Sequence, residues 1–338
     1  MRRIIQNDRL LNRPARDRVS ALIAAIVLAL ACLTAGSLTT AAQDKNDVIR
    51  VDTELATFEI TVTDRHGKPV KDLSADDLRV FENGVERPID FFQPLVKQAT
   101  GRPLSVVFAL DVSGSMTESE IGRLRSALQV FVNRLADYNS YFAVMSFAMN
   151  VRTLQSFTNQ PSRLERSFGK LTRDQDGLST HAYDAVDDAI RLIQRRSPRT
   201  LRNQLPKRAV ILITDGFPVG DTVTPETVIE RANAAETTVY SVILPSYSRL
   251  QQSSGPLPTP LEASGLIQRT GGRSFYANEK DFEPLFRSLA EEVTASYALA
   301  FYPDASGSNS SREPRQVRIE SKQGYIVRQN RTSFTIAQ

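Results

Sequence analysis

Between residues 103 and 296 the chain alternates short, continuous apolar runs with segments whose apolar residues recur every three or four positions. Leu104–Leu110 is an almost unbroken apolar run, the pattern of a strand covered on both faces. Ile121, Leu124, Leu128, Phe131, Val132 and Leu135 then recur at helical spacing. The same reading predicts strands at Tyr141–Phe147, Val151–Phe157, Ala209–Ile213, Val239–Leu244 and Ser274–Ala277. It predicts helices at Tyr183–Ile193, Pro225–Ala235 and Phe282–Val293. Strands alternating with helices predict an α/β domain built on a doubly wound, mostly parallel sheet.

The two ends of the chain carry a different pattern. Phe58-Glu59-Ile60-Thr61-Val62 alternates strictly, as a strand buried on one face does. After the turn Asp64–Pro69, Asn83-Gly84 joins Leu78–Phe81 to Val85–Ile89, a strong hairpin signal. Beyond Ser296, short β runs return at Tyr297–Tyr302, Gln316–Ile319, Tyr325–Val327 and Ser333–Ile336. The terminal segments are expected to pack on each other as one added β-sandwich-like region. Pro245–Pro260, rich in Ser, Gln and Pro, reads as a surface loop, and Asp304–Pro314 as a polar linker. The expected organisation is a leader over 1–42, a β-rich segment over 43–100, the α/β domain over 101–296 and a β-rich segment over 297–338.

Composition narrows the function classes. With 338 residues, 41% hydrophobic and 24% charged, the chain is neither wholly disordered nor a multi-span membrane protein. A single cysteine, Cys32, excludes a disulfide framework and a Cys-rich zinc module. Two histidines, His66 and His181, leave little for a His-based metal centre. The net charge of +4 resides at the start of the chain. Of 42 basic and 38 acidic residues, the first 20 positions take six and two, which leaves 36 of each from residue 43 onward. This basic start precedes the uncharged apolar run Ala21–Leu38 and the small residues Thr39-Thr40-Ala41-Ala42, the pattern of a secretory signal. The run is also just long enough to span a bilayer, so residues 21–38 are either removed or anchor the protein in the inner membrane. Either way the remainder is exported, to the periplasm or the outside, and nucleic acid is excluded as a partner. The acid-free stretch Arg191–Arg208 offers a surface for an anionic partner or a membrane, and reads more readily as a solvated loop and a helix terminus that favours cations.

Candidate chemistry gathers where predicted strands end. The first buried strand runs into Asp111-Val112-Ser113-Gly114-Ser115. A carboxylate and two hydroxyls at alternate positions can converge if the backbone turns at Gly114. Carboxyl ends of parallel strands are where open α/β sheets bind ligands. Thr180, after Asp176-Gly177, and Asp215, at the end of Ile213-Thr214-Asp215-Gly216, lie on loops expected to share this rim. Hard oxygen donors suit Mg²⁺, Mn²⁺ or Ca²⁺. Singly, each of these residues also fits a turn or a helix cap. His181 reads as a rim or packing residue, since hard-cation sites use oxygen.

In order and context, Asp111-x-Ser113-x-Ser115, Thr180 with Tyr183-Asp184-Ala185, and Thr214-Asp215-Gly216 resemble the metal-ion-dependent adhesion site of the von Willebrand factor type A family. The resemblance covers about Pro103–Ser296. Leu78–Gly84 is similar to the N-terminal segment of a bacterial exported subgroup that flanks this domain with β segments. The resemblance implies a Rossmann-like fold and a divalent cation, Mg²⁺ before Mn²⁺ or Ca²⁺. Ser113 and Ser115 would coordinate it directly, Thr180 in the ligand-bound state, and Asp111 and Asp215 directly or through water. It implies a non-enzymatic module that binds an exposed Asp or Glu of a protein partner. One departure is Leu178-Ser179, where the family often has Gly-Gly before the Thr. Two other readings stay open: a Mg²⁺-dependent phosphotransferase or phosphatase using Asp111 as nucleophile, and a structural domain whose site holds no metal. Such enzymes commonly carry a second carboxylate two residues after the first, where this chain has Ser113, and no Gly-rich phosphate loop with a Lys is present.

Overall fold

Leu104–Asp111 is buried at all eight positions. Successive side chains of a strand point to opposite faces. Val106, Phe108 and Leu110 therefore enter one core and Val107 and Ala109 another. The computed structural model describes residues 55–98, 101–114, 117–174, 179–198, 204–244, 258–277, 282–304 and 313–335. The leader, Ser115, Leu178 and most of Pro245–Pro260 lie outside them.

In chain order the N-terminal strands are β1 (Ala56–Thr63), β2 (Leu78–Glu82), β3 (Val85–Arg87) and β4 (Phe91–Pro94). The α/β region begins with β5 (Leu104–Asp111), α1 (Glu118–Arg134), β6 (Ser140–Phe147), β7 (Val151–Thr158) and α2 (Pro161–Phe168). It continues with α3 (Ala182–Arg196), β8 (Lys207–Thr214), α4 (Pro225–Ala234), β9 (Thr237–Ile243), α5 (Pro260–Ala263), α6 (Leu266–Arg269), β10 (Ser274–Tyr276) and α7 (Glu283–Thr294). Strands β11 (Ser296–Phe301), β12 (Arg315–Ser321), β13 (Ile326–Gln329) and β14 (Ser333–Phe334) follow. Helix α2 and the short α5 and α6 are additions to the elements expected from periodicity, and Pro260 opens α5 instead of closing a loop.

The six-stranded sheet has the order β10-β9-β8-β5-β6-β7. All its pairs are parallel except β6 with β7. Helices α1, α2 and α7 supply the core on one face, with Phe131 against Phe286 at 6.2 Å between ring centroids. Helices α3 and α4 cover the other face through Val186, Ile190, Val228 and Ile229. The chain moves outward from β5 to β6 and β7, then returns to place β8 on the other side of β5. The order thus reverses between β5 and β8, and such switch points open a crevice at the strands' carboxyl ends.

Strands from both chain ends interleave in two antiparallel sheets, β13-β1-β11-β4 and β14-β12-β2-β3. They share one core, in which Phe58, Phe301 and Phe334 stack or meet edge-on within about 6 Å. The added β-sandwich-like region is therefore built from both termini. The alternation of β1 predicts one solvated face, and the structure differs. Glu59 and Thr61, on the face away from that core, are buried as well. Glu59 pairs with Arg102, just before β5, and with Lys207 at the start of β8, 3.2 Å from Glu59 Oε1. Both cations are about 1% exposed. Lys207 thus belongs to an internal ion cluster at the amino-terminal edge of the parallel sheet, not to a solvated basic surface. Asn330, within a glycosylation-like Asn-Arg-Thr triplet, is buried, and its side-chain oxygen accepts from the Glu59 amide (3.0 Å).

Candidate metal centre

β5 and β8 run side by side from Leu104–Lys207 to Leu110–Ile213. Their parallel register delivers Asp111 and Thr214-Asp215 to the same end of the sheet. Thr214 Oγ1 donates to Asp111 Oδ2 (2.8 Å), and the Ser113 amide donates to Asp111 Oδ1 (2.9 Å). The Ser113 hydroxyl also donates to the Asp111 carboxylate. A hydroxyl that gives its proton to a carboxylate keeps its lone pairs for a cation. Burial pushes the Asp111 carboxyl up to about 6; these hydrogen bonds act the other way, and the nearby charge of Asp215 adds to the rise. Asp215 accepts from the Phe217 amide (3.0 Å), which fixes the turn after β8.

Gly216 completes that turn at φ +83°, and a Cβ there would lie 2.7 Å from Thr259 Oγ1. The turn needs a left-handed residue without a side chain. Thr180 sits on a separate loop. Its amide donates to Val219 O (3.1 Å) and its carbonyl accepts from the Val219 amide (3.0 Å). The next amide, of His181, donates to Ala148 O (3.1 Å) at the end of β6. The Thr180 loop is therefore laced to the loops after β6 and β8. His181 Nδ1 lies 3.0 Å from Asp184 Oδ2, and Asp184 also accepts from the amides of Thr222 (3.0 Å) and Val223 (3.0 Å). Burial alone would raise the Asp184 carboxyl, but these donors hold it below its ordinary value. The histidine thus braces a loop.

The structure brings Asp111, Ser113 and Asp215 to one switch point and ties the Thr180 loop to its rim. Ser115 lies outside the described residues. The sequence names Thr214 within its motif without a role, and gives no sign of the segment after Leu171. Thr214, fully buried, orients Asp111; its signal is a hydroxyl closing the apolar run Ala209–Ile213. Arg173 donates to Gly114 O, and the Asp174 amide donates to Val112 O (2.7 Å), so the segment after Leu171 clasps the Asp111 loop. No local pattern marks that contact.

Among the described residues no group of three or more His, Cys, Asp or Glu is arranged to hold a metal. The oxygens gathered here come from two carboxylates and from hydroxyls. Such a set fits a hard dication that keeps several waters. A buried carboxylate whose pKa is raised, with neutral donors around it, has an electrostatic vacancy that a cation would fill.

An open, mostly parallel sheet whose order reverses between β5 and β8 defines a doubly wound α/β domain. Residues 106–217 match the family model of the von Willebrand factor type A domain. The pig inter-alpha-trypsin inhibitor heavy chain H4 is 31% identical over 140 residues, covering 40% of this chain and 14% of that protein. This chain thus spans a small part of that relative. Among solved structures, an aerotolerance-related membrane protein from Bacteroides fragilis is 15% identical. That alignment covers 56% of this chain and 98% of that one, at a TM-score of 0.44. Proximal thread matrix protein 1 from the mussel byssus, solved with a zinc-occupied adhesion-site motif, is 13% identical. It covers 60% of this chain and 48% of that one, at a TM-score of 0.45.

Proposed function

We propose that this protein is an exported, non-enzymatic binding module that recognises an acidic residue of a protein partner through a divalent cation. Asp111, Ser113, Ser115, Thr180 and Asp215 are the residues assigned to hold that cation, with Mg²⁺ the best match to an all-oxygen set. The observation that carries the reading is the Asp111 carboxyl: it is 1% exposed, surrounded by donating hydroxyls and an amide, and raised to about 6 beside Asp215. When bound, the cation supplies a Lewis-acidic position open to an incoming carboxylate. The protein's own residues do the rest. Thr214 and the Ser113 amide hold Asp111 in one orientation, and the hydrogen bonds of Asp184 hold the Thr180 loop against the loop after β8. Two apolar side chains beside Thr180, Met149 at 48% and Val219 at 54% exposure, favour a protein surface as partner.

Calorimetric titration of the full chain with Mg²⁺, Mn²⁺ and Ca²⁺ tests this. One site is expected in the wild type, weakened more than about 100-fold in Asp111→Ala and in Ser113→Ala. Absence of binding by the wild type removes the reading. Metal-dependent phosphoester turnover that disappears in Asp111→Ala replaces it with the hydrolase.

A further inference from the structure

Beside the Asp111 loop, between the ends of β5, β6 and β7 and the segment after α2, lies a cavity of ≈ 220 Å³. Arg152, Lys170 and Arg173 line it together with Asp174, Asn150 and Val112. Three cations thus face one carboxylate among the described lining residues. None of the three cations has a carboxylate within ion-pairing distance among the described residues. Some other cations are paired: Arg87 bridges Glu82 and Asp304, and Arg191 and Arg231 both reach Asp187.

The cavity adjoins the candidate metal loop. Val112, which follows Asp111, is one of its walls, and Arg173 donates to the carbonyl of Gly114, the residue between the two coordinating serines. A dication held by the Asp111 loop would stand beside this cationic cleft, and the two together would match a ligand with two negative groups a few residues apart.

We propose that this cleft is a second carboxylate subsite: the partner segment is acidic, placing one Asp or Glu on the cation and another between Arg152 and Lys170. The proposal rests on the metal-dependent reading above. Arg173 acts as a positioning residue, because its guanidinium is already engaged with the loop. A carboxylate side chain is favoured over a larger polyanion because the cleft is small and continuous with a position that itself takes one carboxylate.

The test uses the full chain and short fluorescent peptides of Gly and Ser. One carries a single Asp. Others add a second Asp one to four residues away, each with a control in which the second Asp is Asn. In saturating Mg²⁺, at least one two-Asp peptide is expected to bind about five- to tenfold more tightly than its Asn control. The gain should fade as salt rises toward about 0.5 M, where charges are screened over a few ångströms. The double variant Arg152→Ser, Lys170→Ser should lose the gain while Mg²⁺ affinity and single-Asp binding stay unchanged. A gain that survives in the double variant, or no gain at any spacing, overturns the subsite. Tighter binding by a sulfated oligosaccharide, with the same dependence on Arg152 and Lys170, overturns the peptide assignment. Failure of the metal reading has a different signature: calorimetry shows no Mg²⁺ uptake. In that case, two-Asp binding in EDTA that the double variant abolishes still supports the cleft, and its absence overturns it.

Discussion

Two buried carboxylates face opposite edges of the parallel sheet, Glu59 from β1 of the neighbouring antiparallel sheet and Asp111 from β5 itself, and their surroundings differ in kind. Glu59 meets the guanidinium of Arg102 and the ammonium of Lys207 at the amino-terminal edge. Asp111, at the carboxyl edge, meets two hydroxyls, an amide and a second carboxylate, Asp215. Burial would raise both groups. At Glu59 the two cations more than offset it and hold the carboxyl below its ordinary value, whereas at Asp111 the carboxyl is raised to about 6. An acid balanced from within joins parts of the fold, here β1 to the edge of the α/β sheet. An acid given only neutral donors and a like charge leaves its balance to something from outside, a proton or a cation.

The sharpest way to break this comparison is to neutralise each acid in turn. Glu59→Gln strands two buried cations and is expected to lower stability by about 3–5 kcal/mol, read as a shift in the urea midpoint. Asp111→Asn should do the opposite in metal-free protein at pH 8. A shift of about two pKa units corresponds to ~3 kcal/mol, so removal of the charge should stabilise by about 1–3 kcal/mol while abolishing Mg²⁺ binding. Destabilisation of similar size in both variants would make Asp111 another structural acid.

A second contrast lies in pH. The folded-state pKa of Asp111 is raised, so the folded protein binds more protons than the unfolded chain between about 3.8 and 6. Its contribution to stability is present below that window and is lost as pH rises through it. Glu59 is lowered below 4.5, so its contribution is present above 4.5 and is lost as pH falls through its folded pKa. Urea titrations of metal-free wild type, Glu59→Gln and Asp111→Asn from pH 3.5 to about 7.5 should separate the two slopes. Mg²⁺ competes with the Asp111 proton, so its affinity should climb about tenfold per unit up to about pH 6 and level off above. A flat affinity profile would remove Asp111 from the site.

The smallest expected effect concerns Thr180. If it coordinates only with ligand bound, Thr180→Ala should leave Mg²⁺ affinity within about twofold and weaken a single-Asp peptide about tenfold. Equal weakening of both would place it among the resident ligands.

Much of this architecture was legible along the chain. The apolar runs at Leu104–Leu110 and Ala209–Ile213 predict central strands, and Asp111 and Asp215 stand where those strands stop. Helices α1 and α3 show their buried stripes as spacing. Helix α2 went unread because eight residues with three buried positions give too little period to detect. The polar face of β1 was misread because a buried acid and a solvated one look identical in a strand. Lys207 was misread in the same way among the arginines that precede it.

Residue order alone determined which segments are covered on both faces and which chemistry waits at their ends, because burial patterns and strand termini are local properties. It did not determine which charges are balanced. Glu59 finds Arg102 43 residues away, and Asp111 finds Thr214 103 residues away. Those meetings depend on strand order and parallel register, and only the folded sheet sets them. The same sheet made one buried carboxylate an internal fastening and gave the other only neutral donors and a like charge.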